Sequence, residues 1–215
     1  MMTERQSHIA FFGDYDLPVI NITAPCETAD FVSAAKARAV PPFAVLLHAL
    51  AQASLDIPQF RDRLRDGARE TIADLTVSYT VLGETENLNF SRLAFDADQA
   101  RFLSGYREDR DIARTARDLR LVDMSHRAYI FATAIPWMAF TSIQHPIGRF
   151  VDCSIPLFAV GKFELKGDRM EFPLAVQAHH GLVDGLHIAR YFARVSELLE
   201  YSAESLRSGG SWAPA

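Results

Sequence analysis

The stretch His179-His180-Gly181-Leu182-Val183-Asp184-Gly185 gathers two histidines, an aspartate and two glycines within seven residues. An imidazole titrates near neutrality, so it can take a proton from a hydroxyl and later return it to a leaving group. Alternation in the residues before it places Leu174, Val176, Ala178 and His180 on one face of a strand, with Ala175, Gln177 and His179 on the other. Gly181 should break that strand and Gly185 should open a helix. His180 and Asp184 are then expected at the two ends of a strand-to-helix turn, where side chains are held rigidly beside a cleft. Two other readings compete. Both histidines can be satisfied core or turn residues. Alternatively His180, Asp184 and His187, spaced i, i+4, i+7, can hold a metal. That set needs a continuous helix, against which Gly181 and the preceding β pattern argue. Proton transfer at His180 fits best.

The elements that must position this turn are legible around it. From Leu186 to Leu206, Ile188, Phe192, Val195 and Leu199 mark one face of a helix, with Arg190, Arg194 and Glu197 elsewhere. Phe43 to Leu55 follows the start signal Pro41-Pro42 and reads as a mostly buried helix. Leu157 to Leu165 and Met170 to His180 flank Lys166-Gly167-Asp168-Arg169, the pattern of a hairpin. Thr76 to Leu82 and Tyr129 to Ala134 are further β-rich runs. Strands and helices are mixed. The expected fold is α/β, a two-layer sandwich of a mixed β-sheet with packed helices.

Bulk properties bound the function. At 215 residues and 49% hydrophobic content the chain can bury a sizeable core, and it reads as one domain over 1–207 with a flexible tail at 208–215. The formal charge of −5, with a pI near 5.8, argues against a nucleic-acid partner. Cys26 and Cys153 follow no metal-ligand spacing and suit a reducing compartment. The N-terminal residues form no apolar signal core, and no apolar run reaches the ~18 residues of a membrane span. A cytoplasmic protein with no membrane partner is expected.

The chain resembles the chloramphenicol acetyltransferase family, within the CoA-dependent acyltransferases that share an H-x-x-x-D-G motif. The residues that carry the likeness run along nearly the whole sequence. They are Arg5-Gln6-Ser7-His8-Ile9-Ala10-Phe11-Phe12, Pro58-Gln59-Phe60-Arg61, Arg65-Asp66-Gly67, Tyr79-Thr80-Val81, Ala134-Ile135-Pro136-Trp137 and Pro173 to His180. Length separates the cousins: plant-type acyltransferases and condensation domains join two such units, and dihydrolipoyl acyltransferases usually have an Asp before a single His.

The resemblance implies acetyl-CoA as co-substrate, with no permanently bound cofactor and no metal, and a small-molecule alcohol acceptor, chloramphenicol first. It implies that His180 is the general base and that the Thr133 hydroxyl, three residues before Pro-Trp, stabilises the oxyanion. Asp184 and Arg5 would pair to brace the turn. Phe12, Trp137, Phe90 and His145 would contact the acceptor; Trp137 and Lys162 would contact CoA. It also implies a homotrimer whose sites lie between subunits. The sequence departs from the family pattern at Thr133 (typically Ser), at Phe12 (Tyr), at Ala159 (Thr), and at His145, where an apolar wall is expected. The tryptophan that usually precedes the N-terminal arginine is missing. These changes bear on the acceptor more than on the transfer, because buried polar groups must be paired.

Overall fold

The computed structural model describes residues 5–117, 119–120, 127–147, 154–210 and 212. Cys153, one of the two cysteines considered above, lies outside them. A short helix α1 (Gln6–Gly13) leads into the long strand β1 (Val19–Ala29), then helices α2 (Phe31–Ala37), α3 (Pro42–Asp56) and the single turn α4 (Pro58–Arg61). A small hairpin β2 (Asp62–Arg65) and β3 (Ala68–Thr71) follows, then β4 (Thr76–Leu82), β5 (Leu88–Phe90), β6 (Leu93–Ala94) and helix α5 (Gln99–Thr115). The last part holds β7 (Tyr129–Ala134), β8 (Leu157–Val160), β9 (Glu164–Lys166), β10 (Arg169–His179) and α6 (Gly185–Ser208).

The main sheet has the order β1-β10-β8-β7-β4-β5, with β6 also on β4 and β9 also on β10. Strands β4, β7 and β8 are mutually parallel, whereas β10 runs antiparallel to β8 and to β1. The sheet is therefore mixed. Its core face carries Val77, Ile130, Ala132, Phe158, Leu174, Val176 and Ala178, and the helices pack there to form the second layer, with α2 and α3 against α6. This is the two-layer α/β arrangement expected.

Local chemistry accounts for the elements nearest the site. Pro42 occupies the first turn of α3, where its missing N–H costs nothing, and ten of that helix's residues are buried. Helix α6 presents Ile188, Tyr191, Val195, Leu199 and Leu206 to the core at helical spacing; Tyr191, fully buried, replaces Phe192 at the centre of the expected stripe. The hairpin turn expected at Lys166 to Arg169 pairs those two residues directly, with Gly167 at a φ of 65°. The expected strand Leu157–Leu165 is broken instead into β8 and β9: the Gly161 N–H still donates to Pro173 of β10, but the next one, of Lys162, donates to the Met138 carbonyl.

Arg63, fully buried, donates to the carbonyls of Phe60, Asp62, Arg127 and Tyr129, and so ties the β2 hairpin to the start of β7. Of the expected tail 208–215, Ser208 ends α6 and Gly209 caps it at a φ of 82°. Trp212 is not frayed but packed: its indole is buried, edge-on to His48 with the rings 5.5 Å apart. Among the described residues no helix is long and apolar enough to cross a membrane.

Candidate active site

Strand β10 ends at His179, and His180 is already in the turn. The expectation that His180 continues the face of Leu174, Val176 and Ala178 is therefore corrected. Those three enter the core, while the His180 ring stacks on Phe12 of α1, centroids 4.1 Å apart and planes 13° apart. The His180 backbone N–H donates to the Pro18 carbonyl at 2.8 Å, which fixes the end of the strand. Its Nδ1 lies 3.2 Å from the Val183 carbonyl. A carbonyl only accepts, so Nδ1 is the donor, and in the neutral ring Nε2 keeps its lone pair. That tautomer is the one a general base at Nε2 requires.

His179 differs from its neighbour in every respect. Its Nδ1 accepts from the Gly181 N–H at 3.0 Å, and it is buried. Burial, with the neighbouring His180 adding to it, pushes its pKa down to about 4. His179 is thus a neutral structural acceptor. Gly181 is required by space: a Cβ there would lie 2.9 Å from the Ile9 Cα and from the His179 ring. Gly181→Ala is expected to destabilise the protein by about 1–3 kcal/mol and to lift α1, and with it Phe12, from His180. Thermal unfolding and kcat/KM would both fall; a variant with unchanged melting temperature would refute the packing argument.

Arg5 and Asp184 do meet, as the resemblance implied. Arg5 Nη1 donates to Asp184 Oδ2 at 2.9 Å, Nε to the Gly181 carbonyl at 3.0 Å and Nη2 to the His180 carbonyl at 3.2 Å. Arg5 pays for this with a left-handed backbone, φ 71°, a conformation that a side chain rarely adopts. Burial pushes the Asp184 carboxyl up, but the Arg5 hydrogen bond and His187 outweigh it and hold it below its ordinary value. Asp184 also caps α6, accepting from the Leu186 N–H at 3.1 Å, and His187 returns the bond by accepting from the Asp184 N–H at 3.2 Å. The alternative metal set does not converge: among the described residues no three His, Cys, Asp or Glu side chains are grouped to hold an ion.

Thr133 sits elsewhere. It is the last residue but one of β7, paired with Ala159, and lines a cavity of about 560 Å³ with Thr80, Leu82, Leu88, Trp137 and Gly161, at the carboxyl ends of the three parallel strands. Trp137 is 71% exposed at its rim. The registers put Thr133 level with Ala175, so His180 lies five residues farther along and two strands across. That is about 16 Å along the strands and about 10 Å across them. Within one chain the two groups stand toward opposite ends of the sheet.

The other expected contacts divide. Phe90 pairs with Thr80, two residues on from the cavity-lining Leu88. Lys162 donates its backbone N–H to the Met138 carbonyl, next to Trp137, while its ammonium pairs with Glu164 at 3.0 Å. His145 donates its backbone N–H to the Gln177 amide oxygen at 3.2 Å. Burial lowers its pKa, and its Nε2 is buried without a partner, as is Nε2 of Gln177. Sequence reasoning missed Val183 as the acceptor for His180 and missed His187 as a cap. The second was readable, since a polar residue three after a capping Asp is the capping-box pattern.

This fold is that of acyltransferases. A probable dihydrolipoamide acetyltransferase of Listeria monocytogenes superposes with a TM-score of 0.65 over 91% of this chain and 89% of its own, at 16% identity, a likeness of fold alone. A solved chloramphenicol acetyltransferase superposes better, with a TM-score of 0.85, 25% identity, and 92% and 96% of the two chains covered. The family model for chloramphenicol acetyltransferase matches residues 2–196, and the chain belongs to that family. Chloramphenicol acetyltransferase 3 of Escherichia coli is 24% identical over 90% of this chain and 92% of its own length. A chloramphenicol acetyltransferase of Acinetobacter baumannii is 27% identical over 93% and 90%. The chain is accordingly an acetyl-CoA-dependent O-acyltransferase.

Proposed function

We propose that this enzyme moves the acetyl group of acetyl-CoA to a hydroxyl of chloramphenicol, by direct attack within a ternary complex in the cytoplasm. The observation that carries the reading is the 3.2 Å approach of His180 Nδ1 to the Val183 carbonyl, which commits Nδ1 as the donor and leaves Nε2 to act as the base. Nε2 takes the hydroxyl proton as the oxygen bonds to the thioester carbon. The carbonyl oxygen becomes an oxyanion that accepts a hydrogen bond from the Thr133 hydroxyl. Collapse breaks the C–S bond, and the imidazolium returns its proton to the departing thiolate, giving CoA and the acetyl ester. Trp137 and Lys162 serve the CoA side; Phe12, Phe90 and His145 serve the acceptor.

The separation of Thr133 from His180 within one chain supports a site between copies, with His180 of one facing Thr133 of the next, and the family resemblance makes the assembly a homotrimer. No nucleic acid, membrane or metal has a part. A different small alcohol is the second reading for the acceptor. It is favoured by the buried, unpartnered Nε2 atoms of His145 and Gln177, which suit an acceptor that brings polar atoms of its own. Thiol release from acetyl-CoA should rise on adding chloramphenicol. No rise with any of a panel of amphenicols and small alcohols would refute acetyl transfer, and a rise only with another alcohol would select the second reading.

A further inference from the structure

His187 takes no part in the transfer above, yet it touches the turn that carries the base. Its Nδ1 is within reach of two exclusive partners. The Asp184 N–H, 3.2 Å away, needs an acceptor, while the Asp184 Oδ1, 2.8 Å away, needs a donor. One ring nitrogen cannot serve both. Unprotonated at Nδ1, His187 accepts from the Asp184 N–H and completes the cap of α6. Protonated, it turns toward the carboxylate and leaves that N–H without its partner. Asp184 is the last residue of the turn, bound through Arg5 to the carbonyls of His180 and Gly181.

We infer that His187 is a positioning residue, whose unprotonated Nδ1 holds the turn that aims His180 and whose protonation loosens it. Its effect on catalysis rests on His180 being the base; its effect on the turn does not. The charged groups around it are Asp184 and Arg190 from its own helix and Arg5 from the N-terminal segment. Burial lowers its pKa below the ordinary value and outweighs the raising effect of Asp184. The sign follows: the hold is complete at neutral pH and is lost as pH falls through that lowered pKa. His180 must be unprotonated too, so the acid side of the activity profile depends on two protons and not one.

The test uses the full chain and two variants. Glutamine at N3 supplies a side-chain acceptor that does not titrate, so His187→Gln should keep kcat/KM near neutral pH within about twofold and shorten the acid limb to one proton. His187→Leu removes the acceptor and should lower kcat/KM about tenfold near neutral pH, short of the ~100-fold that a 1 Å misplacement can cost, with the deficit narrowing as pH falls and the wild type loses the same hold. Independently of activity, the Asp184 amide signal of ¹⁵N-labelled protein should shift with a single titration whose midpoint lies on the acid side of the ordinary histidine value of about 6.5. That shift should vanish in His187→Gln. An acid limb unchanged by His187→Gln, or an Asp184 amide that does not respond, overturns the inference. If the wild-type protein transfers no acetyl group, the base assignment fails by itself, and the amide titration still decides for or against the hold.

Discussion

His180→Ala is expected to lower kcat for acetyl transfer by about 10²–10⁴, the usual worth of a positioned general base. The loss should fall on the chemical step. The backbone bonds that shape the turn, His180 N–H to Pro18 and Arg5 to the His180 and Gly181 carbonyls, do not involve the imidazole. The ring's own contacts are the stacked Phe12 and the hydrogen bond to Val183, at a half-buried position open on one side, so its removal leaves no enclosed cavity. The melting temperature should therefore move by only a few degrees while turnover collapses. His179→Ala should behave in the opposite way. It is buried, and it holds the Gly181 N–H, so its loss should unfold the turn before it reveals anything about chemistry. Thiol-release assays and thermal unfolding on the two variants would separate these outcomes. An alanine variant of His180 active within a few fold of wild type would remove it as the base.

The contrast between the two histidines shows what the sequence carries and what it does not. Both are of one residue type, adjacent, in a motif that announces proton chemistry. The strand pattern predicts that they point to opposite sides, but not that the strand stops between them. That break is set by Gly181, whose missing Cβ admits the α1 backbone, a contact between residues far apart in the chain. Helical spacing resolved α6, the Pro41-Pro42 start resolved α3, β-rich runs marked β4 and β7, and the turn residues Gly167-Asp168 marked the β9–β10 turn. It did not resolve α1, which buries no residue, or β1, whose mixed pattern is stabilised by eleven pairings with β10. The Arg5–Asp184 pair came only through resemblance: a terminal arginine in isolation reads as mobile. The burial of Trp212 against His48 was likewise invisible, since Gly and Ser before it signal only the end of a helix.

The position of Thr133 leads to the strongest test of the assembly. Thr133→Ala should lower kcat by about 10²–10³, as the loss of one oxyanion donor does. A mixture then distinguishes a site within a chain from one between chains. If both groups came from the same copy, every site in a mixture of His180→Ala and Thr133→Ala chains would lack one of them. If His180 of one copy serves Thr133 of the next, a Thr133→Ala chain can lend its histidine to a His180→Ala neighbour. In a closed ring of three containing both kinds, only one interface joins them in the productive order. Co-expressed chains purified through two different tags should thus recover about a third of wild-type activity, far above either variant alone. Recovery no greater than the sum of the parents would place both groups in one subunit. The pairing registers oppose that outcome: closing about 16 Å along the strands within one chain would mean unzipping β10 from β8. The sheet that builds the core thus keeps His180 and Thr133 apart within one chain, and on the roles proposed for them activity would be a property of the assembled protein.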